Sequence, residues 1–350
     1  MAFDILLTPV TNTCYLLVFS AKPSRLPPAC GSSLLEEHMS IETASPQRLL
    51  EQRKKRSALN RFFNAEAITA YLFILPAMLG FALFYLYPTL RGFFISTTNW
   101  NLLSAPESVG LANYQTMIND PAFWNALKVT VLYVLYNIPF QTLIGLFLAV
   151  AMDRLSKSMF IRGALILPYL LSNVIAAMIW VWMLDPLLGM VNAFLGIFGI
   201  GHISFLGTTE NALGSVALIN IWRHMGLTAL LFYAGLQGIP KSVYEAATID
   251  GSSEWTTFWK ITLPLLRPVT AFVLVTSIVG SFQIFDTVAV ATQGGPVDAT
   301  RVLVYYIYSN AFTFFKMGYA TALSMTLFAI LIFFSIIQLR LFRADQSDLS

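Results

Sequence analysis

The sequence predicts an all-α, polytopic membrane protein with six transmembrane helices and both termini cytoplasmic. Three observations predict it. The 350 residues are 57% hydrophobic and only 11% charged, whereas soluble domains carry about 25% charge. Apolar runs reach the roughly 20 residues that one helical crossing of a bilayer requires. Lysine and arginine crowd alternate flanks of those runs, the asymmetry that orients membrane helices.

Ahead of the runs, residues 1–47 read as an N-terminal tail. Residues 5–19 are apolar, but the run is short, contains Pro9 and follows Asp4, where a secretory signal has a basic start. The expectation is a disordered tail, or an upstream start codon with Met39 as the true one. Residues 48–66 form a basic cytoplasmic segment with Arg48, Arg53, Lys54, Lys55, Arg56 and Arg61.

The six-helix domain covers 67–340. Span one runs from about Ala67 to Pro88 without a charge, and span two from about Val129 to Met152, between Lys128 and Asp153. Span three, about Gly163 to Leu184, lies between Arg162 and Asp185. Span four, about Ala212 to Leu236, is interrupted by Arg223 and His224. Span five, about Val269 to Ala291, carries Asp286, and span six, about Met317 to Leu339, lies between Lys316 and Arg340. Each is assigned a helix because a helix satisfies its own backbone in lipid. Pro76, Pro139 and Pro168 are expected to kink their helices. Arg154, Lys157 and Arg162, then Lys241, Lys260 and Arg267, then Arg340 and Arg343 mark the cytoplasmic side. Only Arg91, Lys128, Arg301 and Lys316 mark the other. Residues 341–350 are a C-terminal tail.

Between spans four and five lies a cytoplasmic loop, 237–268. Ser242 to Glu245 fits a capping box, Pro240 suits the start of a helix, and Gly251 a stop just past its end. Ser252 or Ser253 can cap a second short helix, where Trp255, Phe258 and Trp259 form an apolar stripe ended by Pro264. Pro268 opens span five. By spacing alone this is an interfacial amphipathic hairpin anchored by tryptophans, with Glu245 only a cap.

Other chemistry is missing. No phosphate-binding loop is present, so the chain does not hydrolyse ATP. His38, His202 and His224 are scattered, and Cys14 and Cys30 make neither a disulfide framework nor a metal site. A net charge of +3 gives no nucleic-acid patch, and no protease motif occurs. No cofactor is expected on this chain.

Glu245-Ala246-Ala247, then Asp250-Gly251, then Ile261 and Leu263-Pro264, resembles the cytoplasmic loop of ATP-binding-cassette importer permeases. Ser252 stands where that family usually has Ala. Trp100, Gly110 to Tyr114, Asp120 to Trp124, Phe282 to Asp286, Gly294-Gly295-Pro296, Ala311-Phe312 and Met317 to Ala320 resemble the carbohydrate branch. Within it, the likeness is to the larger permease of the maltose transporter. The resemblance covers most of residues 65–343 and implies the six-helix type I importer permease fold. It implies a bacterial inner-membrane, multi-pass subunit acting with a second permease, two cytoplasmic ATPase subunits that use the ATP, and an extracytoplasmic solute-binding protein. Glu245, Ala246, Ala247, Asp250 and Gly251 would couple to an ATPase, with Glu245 in a charge contact.

The expected substrate path is Asn220, Trp222, Arg223, Ser277, Ser281, Gln283 and Asp286. Asn220, Trp222, Ser277 and Ser281 align with sugar-contacting positions of the family, Ser281 replacing Asn, while Leu227 and Ile284 depart from its pattern. Gln283 and Asp286 are polar neighbours. Amides suit hydroxyls and aromatic faces suit sugar rings, yet Asn220 and the serines could equally be helix–helix glue, about 0.6 kcal/mol per bond. Arg223 costs roughly 2.5–3.5 kcal/mol in mid-membrane. It faces a cavity, pairs with Asp286, or snorkels. The alternative function is an ion-gradient-driven secondary transporter with Arg223 and Asp286 as coupling charges. A third is an intramembrane enzyme or assembly factor.

Overall fold

A computed structural model describes residues 65–155 and 158–342. The tail 1–47, the basic residues 48–64 and residues 343–350 lie outside the described residues. Contacts divide the chain at Phe84 into two compact units. In the first, α1 (Ala65–Phe81) contains Pro76 and runs into a π-helical turn, Ala82–Leu86. From Thr69 to Leu79 its residues are exposed, Phe73 by 82%, and almost all are apolar, which suits lipid rather than water.

The second unit opens with α2 (Tyr87–Ser96) and a short hairpin, β1 (Thr98–Asn99) antiparallel to β2 (Glu107–Ser108). Next come α3 (Ala112–Ile118) and the long α4 (Pro121–Leu155), which carries Pro139 without breaking. α5 (Met159–Leu170) and α6 (Asn173–Met183) meet at a 95° bend. α7 (Met190–Ile197) leads to α8 (Ala212–Gln237). The loop helices are α9 (Lys241–Ile249), α10 (Glu254–Thr257), a π-helical turn (Phe258–Thr262) and α11 (Leu263–Leu265). α12 (Arg267–Phe282), α13 (Asp286–Ala291), α14 (Leu303–Tyr308), a third π-helical turn (Ser309–Thr313) and α15 (Met317–Phe342) complete the fold.

By length and composition, four described helices could cross a membrane, with up to two more if each bent pair is one span. Three expectations are corrected. Span three is broken at Leu171 and Ser172, because Pro168 withdraws a backbone donor just before the break. Span five stops at Phe282 and restarts as α13 at Asp286, so Asp286 begins a separate helix instead of lying inside a span. The turn toward span five falls at Leu266, past Pro264, with a 64° bend.

The core has three centres. α4, α8 and α13 bury Tyr133, Val216 and Val288 together, and α3, α4, α12, α14 and α15 enclose Phe123, Phe282 and Leu323. The third joins Ala149 of α4 and Phe232 of α8 to Leu266 and Val273. α8 is the central rod, packed on α4 and α5. Small residues permit the approach: a Cβ on Gly226 would lie 1.7 Å from the Leu165 carbonyl oxygen, so only glycine fits where α8 crosses α5.

Several residues that carried the family resemblance are braces. Asn113 donates to the carbonyls of Ser96 (2.8 Å) and Thr98 (2.9 Å), tying α3 to the α2–β1 junction. Asp120, just ahead of α4, accepts from Tyr319 at 2.7 Å, from Tyr306, and from the Ala122 amide at 2.9 Å. Burial raises the Asp120 carboxyl's pKa, but these bonds and one from the Phe123 amide outweigh it and hold it below the ordinary value. One carboxylate thus pins α14 and α15 to the start of α4.

Candidate functional site

Two places could do work, the α9–α11 loop and a polar cavity in the helix bundle. In the loop, α9 starts at Lys241 with Pro240 at its N-cap and no side-chain cap bond. Ser242 is inside the helix, so the expected capping box does not form. The helix ends as predicted. Gly251 has φ of +72°, its amide reaches Thr248 O at 3.1 Å, and the Ser252 amide reaches Ala247 O at 2.9 Å. These are the paired bonds of a Schellman stop. Ser253 then caps α10 by accepting from the Thr256 amide.

One face of α9 is anchored and the other is bare. Ala247 is buried, and Val243 and Tyr244 pack on the Phe232–Leu266–Val273 centre. Glu245, Ala246, Asp250 and Gly251 are exposed, as is Ile249 (86%). The exposed Trp255 stacks edge to face on Trp259. One polar link ties the loop to the end of α4, and another ties the end of α8 to α4. Arg154 of α4 bonds Glu254 at 2.5 Å, and Gln237 donates to Asp153 at 2.6 Å.

The cavity holds about 380 Å³, within the range of small-ligand sites. It gathers Asn220, Ser277, Ser281, Gln283 and Asp286 from the expected path, and Leu227 and Ile284 also line it. Trp222 is not in its lining and packs edge to face on Trp180, with ring centres 5.5 Å apart. Arg223 is absent from the lining too. Its Nε and Nη2 donate to Leu171 O at 3.1 and 3.0 Å, Nη2 also to Tyr169 O at 3.1 Å, and Nη1 contacts His224 Nε2 at 3.0 Å. These carbonyls are the ones the α5–α6 break leaves without intrahelical partners. No Arg223–Asp286 ion pair occurs among the described residues; Asp286 accepts from Asn173 Nδ2 at 2.7 Å.

Sequence reasoning missed Asn137 and Gln141, both nearly fully buried on α4. Asn137 Nδ2 donates to Gln141 Oε1 (3.1 Å) and Ser281 Oγ (3.0 Å). Gln141 Nε2 donates to Thr228 Oγ1 (3.0 Å) and Ser277 Oγ (3.3 Å). Asn220 Nδ2 donates to Thr287 Oγ1 at 3.1 Å. The signal was present: Tyr133, Asn137 and Gln141 repeat every fourth residue and share one helix face. Among the described residues no three His, Cys, Asp or Glu side chains gather as metal ligands.

A family model described as "Binding-protein-dependent transport system inner membrane component" matches residues 131–344. The chain is 34% identical over 278 residues to the sn-glycerol-3-phosphate transport system permease protein UgpA of Agrobacterium fabrum, covering 78% of this chain and 94% of that one. It is 32% identical over 285 residues to the trehalose/maltose transport system permease protein MalF of Thermococcus litoralis, covering 80% and 96%. Among solved structures, a bacterial alginate ABC transporter in complex with an alginate pentasaccharide-bound periplasmic protein has a chain of the same fold. The TM-score is 0.69 at 22% identity, covering 78% of this chain and 93% of that one.

Proposed function

The chain belongs to the family of binding-protein-dependent transport system inner membrane components, and on that premise we propose that it is one permease subunit of an ATP-driven sugar importer. A second permease completes the translocation path. Two cytoplasmic ATPase subunits bind and use the ATP, which this chain does not touch, and an extracytoplasmic solute-binding protein delivers the sugar. The subunit crosses the bacterial inner membrane six times with both termini cytoplasmic, each bent helix pair counting as one crossing.

The observation that carries this reading is α9. It is a short helix, stopped by a left-handed glycine, that buries Ala247 and offers Glu245, Ala246 and Ile249 to a partner. Glu245 meets a basic side chain of the ATPase, and Asp250 and Gly251 shape the turn. A push on α9 reaches the bundle through Val243, Tyr244 and the Arg154–Glu254 bond. The sugar passes the wall formed by Asn220, Ser277, Ser281, Gln283 and Asp286. Trp222 and Arg223 act from behind that wall. Arg223 spends its donors on carbonyls, which leaves a secondary transporter without its expected Arg223–Asp286 pair.

The test is uptake by vesicles containing this chain, its second permease and its ATPase, with the binding protein outside. Uptake that requires internal ATP and the binding protein supports the proposal. Uptake that persists without the ATPase and collapses with the proton gradient overturns it.

A further inference from the structure

Relatives named for trehalose/maltose and for sn-glycerol-3-phosphate resemble this chain to the same degree, so likeness does not decide whether its substrate is neutral or anionic. The cavity does. Its lining includes no lysine or arginine. Arg223, close enough to interact with the Asp286 charge, is turned to Tyr169 O, Leu171 O and His224, which occupy four of the five N–H groups of a guanidinium. His224 supplies no charge either. Its Nδ1 faces the Asn220 carbonyl oxygen at 2.9 Å and must donate, while Nε2 faces an Arg223 N–H and must accept. That pairing assigns a neutral imidazole.

The amide donors of Asn137, Gln141 and Asn220 are also committed. Both N–H groups of Asn137 and both of Gln141 are used within the α4–α8–α12 network, and Asn220 Nδ2 donates to Val216 O and Thr287 Oγ1. The one charged group in the lining, Asp286, keeps acceptor capacity. Asp286 receives one bond, from Asn173 to Oδ2. A ligand hydroxyl can therefore donate to that carboxylate.

Resting on the sugar-path reading, we propose that this cavity selects an uncharged, hydroxyl-donating sugar over an anionic one, with the Asp286 carboxylate as the acceptor that makes the choice. Sugar hydroxyls can donate to that carboxylate. A uronate or sugar phosphate brings further acceptors and a negative charge toward Asp286, with no cation in the lining to receive it.

The experiment is saturation-transfer NMR on the purified full complex without its binding protein, using probe pairs matched in ring and linkage. Galactose is set against galacturonate, and a neutral galactose trisaccharide against a galacturonate trimer. Each neutral member is expected to bind saturably and at least tenfold more tightly than its anionic partner. Asp286→Asn should narrow the gap. An anionic member that binds wild type as well as or better than its neutral partner overturns the charge preference while the sugar path stands. No saturable binding by any probe overturns the sugar path itself, and the preference with it. The wild-type comparison decides the matter even if a variant does not fold.

Discussion

Arg223 donates two hydrogen bonds to the Leu171 carbonyl oxygen, from Nε at 3.1 Å and Nη2 at 3.0 Å. A charge in the middle of an apolar helix thereby becomes the cap of a different one. The α5–α6 break exposes carbonyls that the bilayer cannot satisfy, and α8 brings the donor. The same break presents Asn173 to Asp286, so the α5–α6 bend and the start of α13 are tied together.

Arg223→Leu is expected to leave the carbonyls of Tyr169 and Leu171 unpaired. Hydrogen bonds to charged groups contribute about 1.5–3 kcal/mol each, so the purified complex should melt several degrees lower and transport should fall with it. Arg223→Lys keeps a donor but not the fork, and should recover only part of the melting temperature. A Leu variant with wild-type thermal stability would contradict the capping role.

Gly226→Val should separate α8 from α5. The new side chain meets the Leu165 carbonyl oxygen at 1.7 Å, which is backbone and cannot swing aside. Overpacking costs about 1–3 kcal/mol even where side chains can yield, so membrane expression should drop sharply. Gly214→Ala, on the same helix with open space around it, is the control and should express normally.

Asp120→Asn removes the carboxylate that accepts from Tyr306 and Tyr319 and should destabilise by about 1.5–3 kcal/mol. The pH dependence has a definite sign. The folded-state pKa lies below the unfolded value of about 3.9, so the contribution is present above that value. It is lost as pH falls through the folded pKa. The melting difference between wild type and variant should be flat from about pH 5 to 8 and should shrink only in stronger acid. A difference that grows on acidification would be inconsistent with the brace.

The sequence carried much of this because bilayer-length apolar runs, proline positions and charge flanks are local signals. Gly251 and Ser253 were readable as stop and cap for the same reason. Ser242 was misread: its motif is short, and Lys241, one residue after Pro240, had already begun the helix. The Arg223 bond to Leu171 links residues 52 apart, and nothing local to either position announces it. Asn137 and Gln141 share a face, but whether it met lipid, another helix or a cavity depended on how α4, α8 and α12 pack. Asp286 reads as a charge inside a span until the chain breaks after Phe282 and makes it the first residue of α13.

The most direct measurement is ATP hydrolysis and sugar uptake by the assembled complex carrying Glu245→Arg. Glu245 is exposed, and surface substitutions away from special features change stability by only about 0.5 kcal/mol, so this chain should keep its fold and melting temperature. The account predicts that sugar-stimulated ATPase activity and uptake fall together by at least tenfold, as the ATPase loses its hold on α9. Both activities at wild-type levels, in a complex shown to contain the variant, would contradict it.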